Sequence, residues 1–314
     1  MFSRFCRIAF VLLLILNVNI AHSAPEGKTT TKQFVINFAQ DTLSIDWRAR
    51  QVNEVKQALA THPNVQFIVK DAGGHTEQQI RDVESLVNEG IDLLITSPRD
   101  AQSLAPIISK TYLKGIPVIL LSRKVNTEDY TTFIGPDDVA IGVKAARRLA
   151  NKLNGKGKII MLSGIPTTTT AMERAIGFRN GLIAFPGLQI VAEKYANYQR
   201  SDAIQAMEGI IESGVRFDAI YAQSDSMATG ARMALLQAGI KPSSKQIIGG
   251  DYIKEARQAI RIGEQDATFT YPTGGKEGAL FALKILNGKK VPKHVALPSV
   301  IVDKSNVDSI EPIF

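Results

Sequence analysis

The stretch Phe217-Asp-Ala-Ile-Tyr-Ala-Gln-Ser-Asp-Ser-Met-Ala-Thr-Gly-Ala-Arg-Met-Ala-Leu-Leu-Gln-Ala-Gly239 decides the fold. Phe217 to Ala222 is an apolar run of strand length. Ser226 to Ala238 reads as a helix with a small-residue face, stopped by Gly239. Between them Gln223, Ser224 and Asp225 make a polar connection at the carboxyl end of the strand. In an open parallel sheet ligands bind at such places, because loop backbone and helix N-terminus both face a crevice there.

The same alternation repeats on either side. Upstream, Gln33–Phe38 and Val65–Val69 read as strands, with a helix over Arg48–Ala60 whose stripe is Val52, Val55 and Leu59. Thr76-Glu-Gln-Gln79 reads as a capping box opening a helix with Ile80, Val83 and Val87 on one side, ended by Gly90. Ile91–Ile95, a helix over about 101–113 and Ile116–Leu121 complete a first set. A second set follows Thr131–Gly135: a helix near 138–153, strand Lys158–Leu162, helix Ala171–Ala184 and strand Leu188–Val191. Ser201 is expected to N-cap the next helix, which Gly214 ends. Downstream, Gln246–Gly249 is a strand, and elements are expected near 253–262, 266–270, 276–287 and 297–302.

Strands apolar on both faces, separated by amphipathic helices, predict parallel sheets covered on each side. The alternations are too many for one compact sheet. We therefore expect an α/β protein of two similar doubly wound lobes. The first spans 31–134 plus 272–298, the second 135–271 plus 299–314. No loose linker separates them, so several strand connections cross directly and form a hinge.

Arg4 and Arg7, the apolar run Ile8–Leu16 and Ala21-His-Ser23 follow the pattern of a secretory signal peptide at 1–23, cut before Ala24. An uncleaved anchor is the alternative, but the run is short for a membrane span. Removing residues 1–23 from the 314 leaves 291 residues without cysteine, since Cys6 is the sole one. That excludes thiol chemistry from the exported chain. The leader takes two basic residues with it, and the net charge falls from +7 to +5. The remaining basic residues are dispersed, which reads as solvated surface and not as a nucleic-acid footprint.

No phosphate-cradling loop, dinucleotide fingerprint or nucleophile elbow occurs. His62, His75 and His294 lack metal-ligand spacing. No carboxylate pair stands out for acid–base work. An enzyme, a cofactor and a metal are therefore not expected.

Several motifs fall in a recognisable order: Trp47-Arg48, Leu121-Ser-Arg123, Ala171-Met-Glu-Arg174-Ala-Ile-Gly177-Phe178, Tyr198 with Arg200, Tyr221-Ala-Gln-Ser-Asp225-Ser-Met227 and Ile248-Gly-Gly-Asp251. By these, over about 33–303, the chain resembles the periplasmic sugar-binding proteins of the ribose/galactose type, two-lobed type I solute receptors. The resemblance implies a sugar gripped between the lobes by charged side chains and stacked on aromatic rings. It implies delivery to the permease of an ABC importer, or signalling to a sensor kinase or chemoreceptor. The protein is then a periplasmic monomer that binds no nucleic acid.

The resemblance assigns ligand contacts to Trp47, Arg48, Ser122, Arg123, Arg174, Tyr198, Ser224, Asp225, Asp251 and Tyr271. Each also has a structural reading. Trp47 could be core, although a ring suits the C–H face of a sugar. Arg123 ends an apolar strand, where a charge is costly unless partnered. Arg174 could pair with Glu173 on an exposed helix. Asp225 and Asp251 could cap helices. Ser122, Ser224 and Tyr271 depart from the ribose pattern of Asp, Asn and Gln, which argues against ribose itself. Trp47-Arg48 is similar to relatives that bind furanose sugars. With Asp lost at 122, Arg48, Arg123 and Arg174 face only Asp225 and Asp251. That surplus predicts an anionic or acceptor-rich ligand.

Overall fold

The computed structural model of the protein describes residues 32–314. The leader expected at 1–23 lies outside the described residues. In chain order the elements are β1 (Phe34–Gln40), α1 (Asp46–Leu59), β2 (Val65–Asp71), α2 (Thr76–Glu89), β3 (Leu93–Ser97), α3 (Ala105–Leu113), β4 (Val118–Leu121) and β5 (Thr132–Gly135). Then come α4 (Asp138–Lys152), β6 (Lys156–Ser163), α5 (Thr169–Leu182), β7 (Gly187–Tyr195), α6 (Arg200–Glu212), β8 (Ala219–Ala222) and α7 (Asp225–Gln237). The last are β9 (Gln246–Ile248), α8 (Lys254–Ile262), β10 (Ala267–Phe269), α9 (Gly275–Leu286), β11 (His294–Ala296) and β12 (Ile301–Asp303).

These make two six-stranded sheets, ordered β11-β5-β4-β3-β1-β2 and β12-β10-β9-β8-β6-β7. All pairings are parallel except β12, which runs antiparallel to β10. The expected two doubly wound lobes are therefore present, each with one short late strand at its edge. The inner strands are apolar throughout: every residue of Val118–Leu121 and of Ala219–Ala222 is buried. Such strands need helices on both faces. Ile36, Phe38, Val52 and Val55 pack on one side of the first sheet, and Val83, Leu86, Leu94 and Ile108 on the other. In the second sheet Ile159, Met161 and Phe178 lie on one side and Ile160, Met207 and Leu235 on the other.

The chain passes between the sheets three times, after β5, after β10 and after β11. Each passage carries a proline, Pro136, Pro272 and Pro298. Proline fixes φ, so flexing is limited to the few residues around it.

Several local expectations change. His75, not Thr76, precedes α2, and no side chain caps it. Gln79 instead turns inward and donates to the carbonyls of Ala39 and Ser97, both 3.1 Å away. Gln79 thus bridges the carboxyl ends of β1 and β3 and is not free to cap. The residue before α6 is Gln199, and the Ser201 hydroxyl donates to Asp202 within the first turn. The single strand expected near 297–302 is two short ones, β11 and β12, because Pro298 interrupts the run.

α4 and α5 pack closely because Gly142, Gly177 and Gly181 line their contact. A Cβ at Gly177 would strike the Val139 backbone. This closeness brings the middle of α5 within reach of the start of α4.

Candidate functional site

Carboxyl ends of strands from both sheets face one cavity of about 370 Å³. Trp47, Arg48 and Arg123 line it from the first lobe. Arg174, Tyr198, Ser224 and Asp251 line it from the second, and Tyr271 from the passage after β10. Ser122 and Asp225 do not reach the wall.

On the first-lobe side, Asp41 is the hub. It follows β1, is fully buried, and accepts from Arg123 Nη1 at 2.7 Å. Arg48 Nε lies 3.4 Å from its other oxygen. These guanidinium groups hold the Asp41 carboxyl below the ordinary range, against the opposing effect of burial. Arg48 Nη1 donates to Ser97 at 2.6 Å and Ser122 at 3.0 Å. Burial and the nearby Arg123 lower Arg48 to about 10, which leaves it charged at neutral pH. Ser122 therefore sits behind Arg48 and aims it. Arg123 Nε is buried with no protein partner among the described residues.

On the second-lobe side, Arg174 is buried and does not pair with Glu173. Its Nε donates to Asp138 at 2.8 Å and its Nη1 to the Gln223 carbonyl. The guanidinium stacks 4.3 Å from the Tyr271 ring centre. Tyr271 in turn donates its hydroxyl to Asp138 at 3.0 Å. Burial pushes Asp138 up to about 6, opposed by Arg174. The Trp47 ring lies 5.6 Å from Tyr271, tilted by 45°, and its N–H donates to the Tyr271 carbonyl. Trp47 is thus both wall and packing.

Tyr198 faces Arg123 across the cavity, 5.8 Å from ring centre to guanidinium. Its backbone is left-handed at φ 63°, and Gly164 leaves room for the ring. Ser122 (φ 59°) and Asp251 (φ 100°) share this uncommon conformation. Strained non-glycine residues persist where surrounding structure holds them, and such places cluster at binding sites.

Asp225 and Asp251 part company here. Asp225 is fully buried and accepts from Tyr252 N, Gln265 Nε2 and Thr268 Oγ1 at 2.7–2.8 Å. It caps nothing on its own helix. Ser224 caps α7 by accepting from Met227 N. Asp251 does not cap α8 either. Its carboxylate lines the cavity and has no hydrogen-bond donor among the described residues. Burial pushes it up to about 8.

The expected charge surplus is corrected by two carboxylates that the motifs did not include, Asp41 and Asp138. They offset two of the three guanidinium charges. Asp251 offsets the third when ionised, while Asp225 is spent on structure. Asp41 stands at the carboxyl end of β1, so the rule that found Trp47 and Arg123 applied to it as well. Asp138 followed Asp137 in sequence, and only Asp137 was needed to cap α4, through Ala140 N. Thr170, Ser226 and Glu255 also reach the cavity.

Among curated proteins, the xylitol-binding protein of Mycolicibacterium smegmatis is 30% identical over 264 residues, 82% of this chain and 75% of that protein. Among solved structures, the fructose-binding periplasmic domain of a hybrid two-component system superposes with a TM-score of 0.84 at 32% identity, covering 88% of this chain and 93% of that one. An ABC transporter solute-binding protein from Bacillus halodurans with bound myo-inositol gives a TM-score of 0.85 at 27% identity, covering 90% and 98%. Residues 36–290 match the periplasmic binding protein domain, and with the two lobes, the three passages and the cavity between them, this chain belongs to that family.

Proposed function

We propose that the protein is a receptor that encloses one small, neutral, polyhydroxylated molecule, a sugar or polyol, between its lobes and releases it unchanged. One observation carries this: Asp251 presents to the cavity a carboxylate that accepts no hydrogen bond from any of the described residues. Ligand hydroxyls supply the missing donors. They favour the ionised carboxylate, which completes the balance of Arg48, Arg123 and Arg174 against Asp41, Asp138 and Asp251. The unpartnered Arg123 Nε supplies a donor to the same guest. Trp47 and Tyr198 offer ring faces to its C–H surface. The relatives named for xylitol, fructose and myo-inositol support a neutral guest.

The ten residues expected at the site then divide. Trp47, Arg48, Arg123, Arg174, Tyr198, Ser224, Asp251 and Tyr271 contact the guest. Ser122 and Asp225 position those that do. We assign the lobes to 31–134 with 272–298 and to 135–271 with 299–314, which the sheet memberships support. Binding favours the closed form, because only that form contacts the guest from both lobes. We place the receptor in the periplasm after cleavage at 1–23, as a monomer delivering its guest to an ABC importer permease. The second reading, a sensor that reports to a kinase, is favoured by the similarity to a domain of a hybrid two-component system.

Calorimetry with xylitol, D-fructose, myo-inositol, D-galactose and D-galacturonate tests the reading. A neutral guest should bind more tightly as pH rises from 6 toward 9, because its hydroxyls need Asp251 ionised. An acid that binds more tightly as pH falls would overturn the reading, since it would take the charge-balancing place of the Asp251 carboxylate. Trp47 emission should shift with binding. Recovery of unaltered guest excludes turnover.

A further inference from the structure

Pro166-Thr-Thr-Thr-Thr170 leads into α5 and sets four hydroxyl groups in a row. Thr168 serves its own lobe: it donates to the Ile165 carbonyl at 2.8 Å and accepts from Ala171 N at 3.3 Å, capping α5. The other three reach into the first lobe. Thr167 Oγ1 donates to the Arg99 carbonyl at 3.0 Å, and the Thr167 carbonyl accepts from Ala101 N at 3.0 Å. Thr169 Oγ1 accepts from Lys124 N at 2.9 Å. Thr170 Oγ1 donates to the Ser122 carbonyl at 3.0 Å. An ion pair between Lys124 and Glu173 extends the row.

The topology says when these bonds form. Arg99 and Ala101 follow β3, and the threonines follow β6. Neither strand leads into a passage between the lobes. β4 separates β3 from β5, and β8 and β9 separate β6 from β10. The Thr167 contact is therefore set back from the hinge and depends on the lobes closing, whereas Lys124 and Ser122, the partners of Thr169 and Thr170, follow β4 beside the passage strand β5. Thr167 and Thr169 also lie outside the cavity wall.

We propose that the Thr167–Thr170 run is a clasp, a row of lobe-to-lobe hydrogen bonds made without the guest, which sets the closed fraction and through it the affinity. It rests on the cleft being the ligand site. Only the closed form offers the partners in the first lobe. Each bond raises the closed population, and the observed affinity rises with it. Thr167 and Thr169 are then affinity-determining residues that never touch the ligand.

The double variant Thr167→Val/Thr169→Val keeps side-chain shape and removes both hydroxyls. Spin labels at Glu84→Cys in α2 and Glu208→Cys in α6 report the lobe separation, with and without xylitol, fructose or myo-inositol. The double variant should lower the ratio of closed to open form about 30-fold and speed ligand dissociation about as much, the size two net hydrogen bonds carry. Thr168→Val should lower the melting temperature and leave the separation unchanged. Unchanged separation and dissociation in the double variant, with its fold intact by circular dichroism, would overturn the clasp. If the wild type binds no sugar or polyol, the ligand reading fails, and the label distances still decide the clasp.

Discussion

Asp225 and Asp251 are the same side chain at the ends of neighbouring strands in one sheet, yet the protein uses them oppositely. Asp225 is surrounded by donors from Tyr252, Gln265 and Thr268 and ties α7 to β10 and to the start of α8. Asp251 has none among the described residues and faces the cavity. A saturated buried carboxylate holds a structure together. Asp251, half-buried on the cavity wall, instead leaves its acceptor oxygens open to the cavity.

The sharpest way to break this contrast is to remove the saturated member. Asp225→Ala leaves several buried donors unpaired and should cost about 4 kcal/mol of unfolding free energy, measured by denaturant titration. A loss under about 1 kcal/mol would show that Asp225 is not a structural hub. The reciprocal change, Asp251→Asn, should weaken binding of a neutral sugar by about 2 kcal/mol, roughly 30-fold, with no loss of ligand-free stability. Equal affinity in that variant would erase the distinction between the two residues.

The pH profile refines the comparison. Asp251 is raised to about 8 and Asp138 and Asp225 to about 6. Between the unfolded carboxylate value and these values the folded protein holds protons that the unfolded chain has released. Ligand-free stability should therefore fall as pH rises from about 4 to about 8 and level off above. Asp41 has the opposite sign. Its lowered value gives stability above the unfolded carboxylate value that is lost on further acidification. In Asp251→Asn the fall between about 6 and 8 should vanish, as read by melting curves across that range. The smallest effect belongs to Ser122→Ala. Arg48 keeps Ser97 and Gln51, so affinity should change by less than about 1 kcal/mol in calorimetry.

Much of this was legible before the structure. The strands, the two lobes and eight wall residues followed from apolar runs and from the rule that sites gather at strand ends, sharpened by the family resemblance. The missing parts depend on which side chain meets which across long sequence distances. Nothing local distinguishes Asp225 from Asp251, because the donors around Asp225 come from Tyr252, Gln265 and Thr268. Asp41 and Asp138 owe their roles to guanidinium groups 82 and 36 residues away. Helix starts misled for the same reason: Gln79 fits a capping box by spelling, but its amide is engaged by the carboxyl ends of β1 and β3.

The passage after β10 sends α9 and β11 back to the first lobe, where α9 packs on α1 and β11 pairs with β5. The sheet begun at Phe34 is thus finished only by residues near 296. During synthesis the earlier half waits, incomplete, while the whole second half is made. Its early strands are left without their edge partner until ribosomal output is nearly over. The second sheet is closed later still, by β12 at Ile301–Asp303, so neither lobe has its full set of strands until the chain is almost finished.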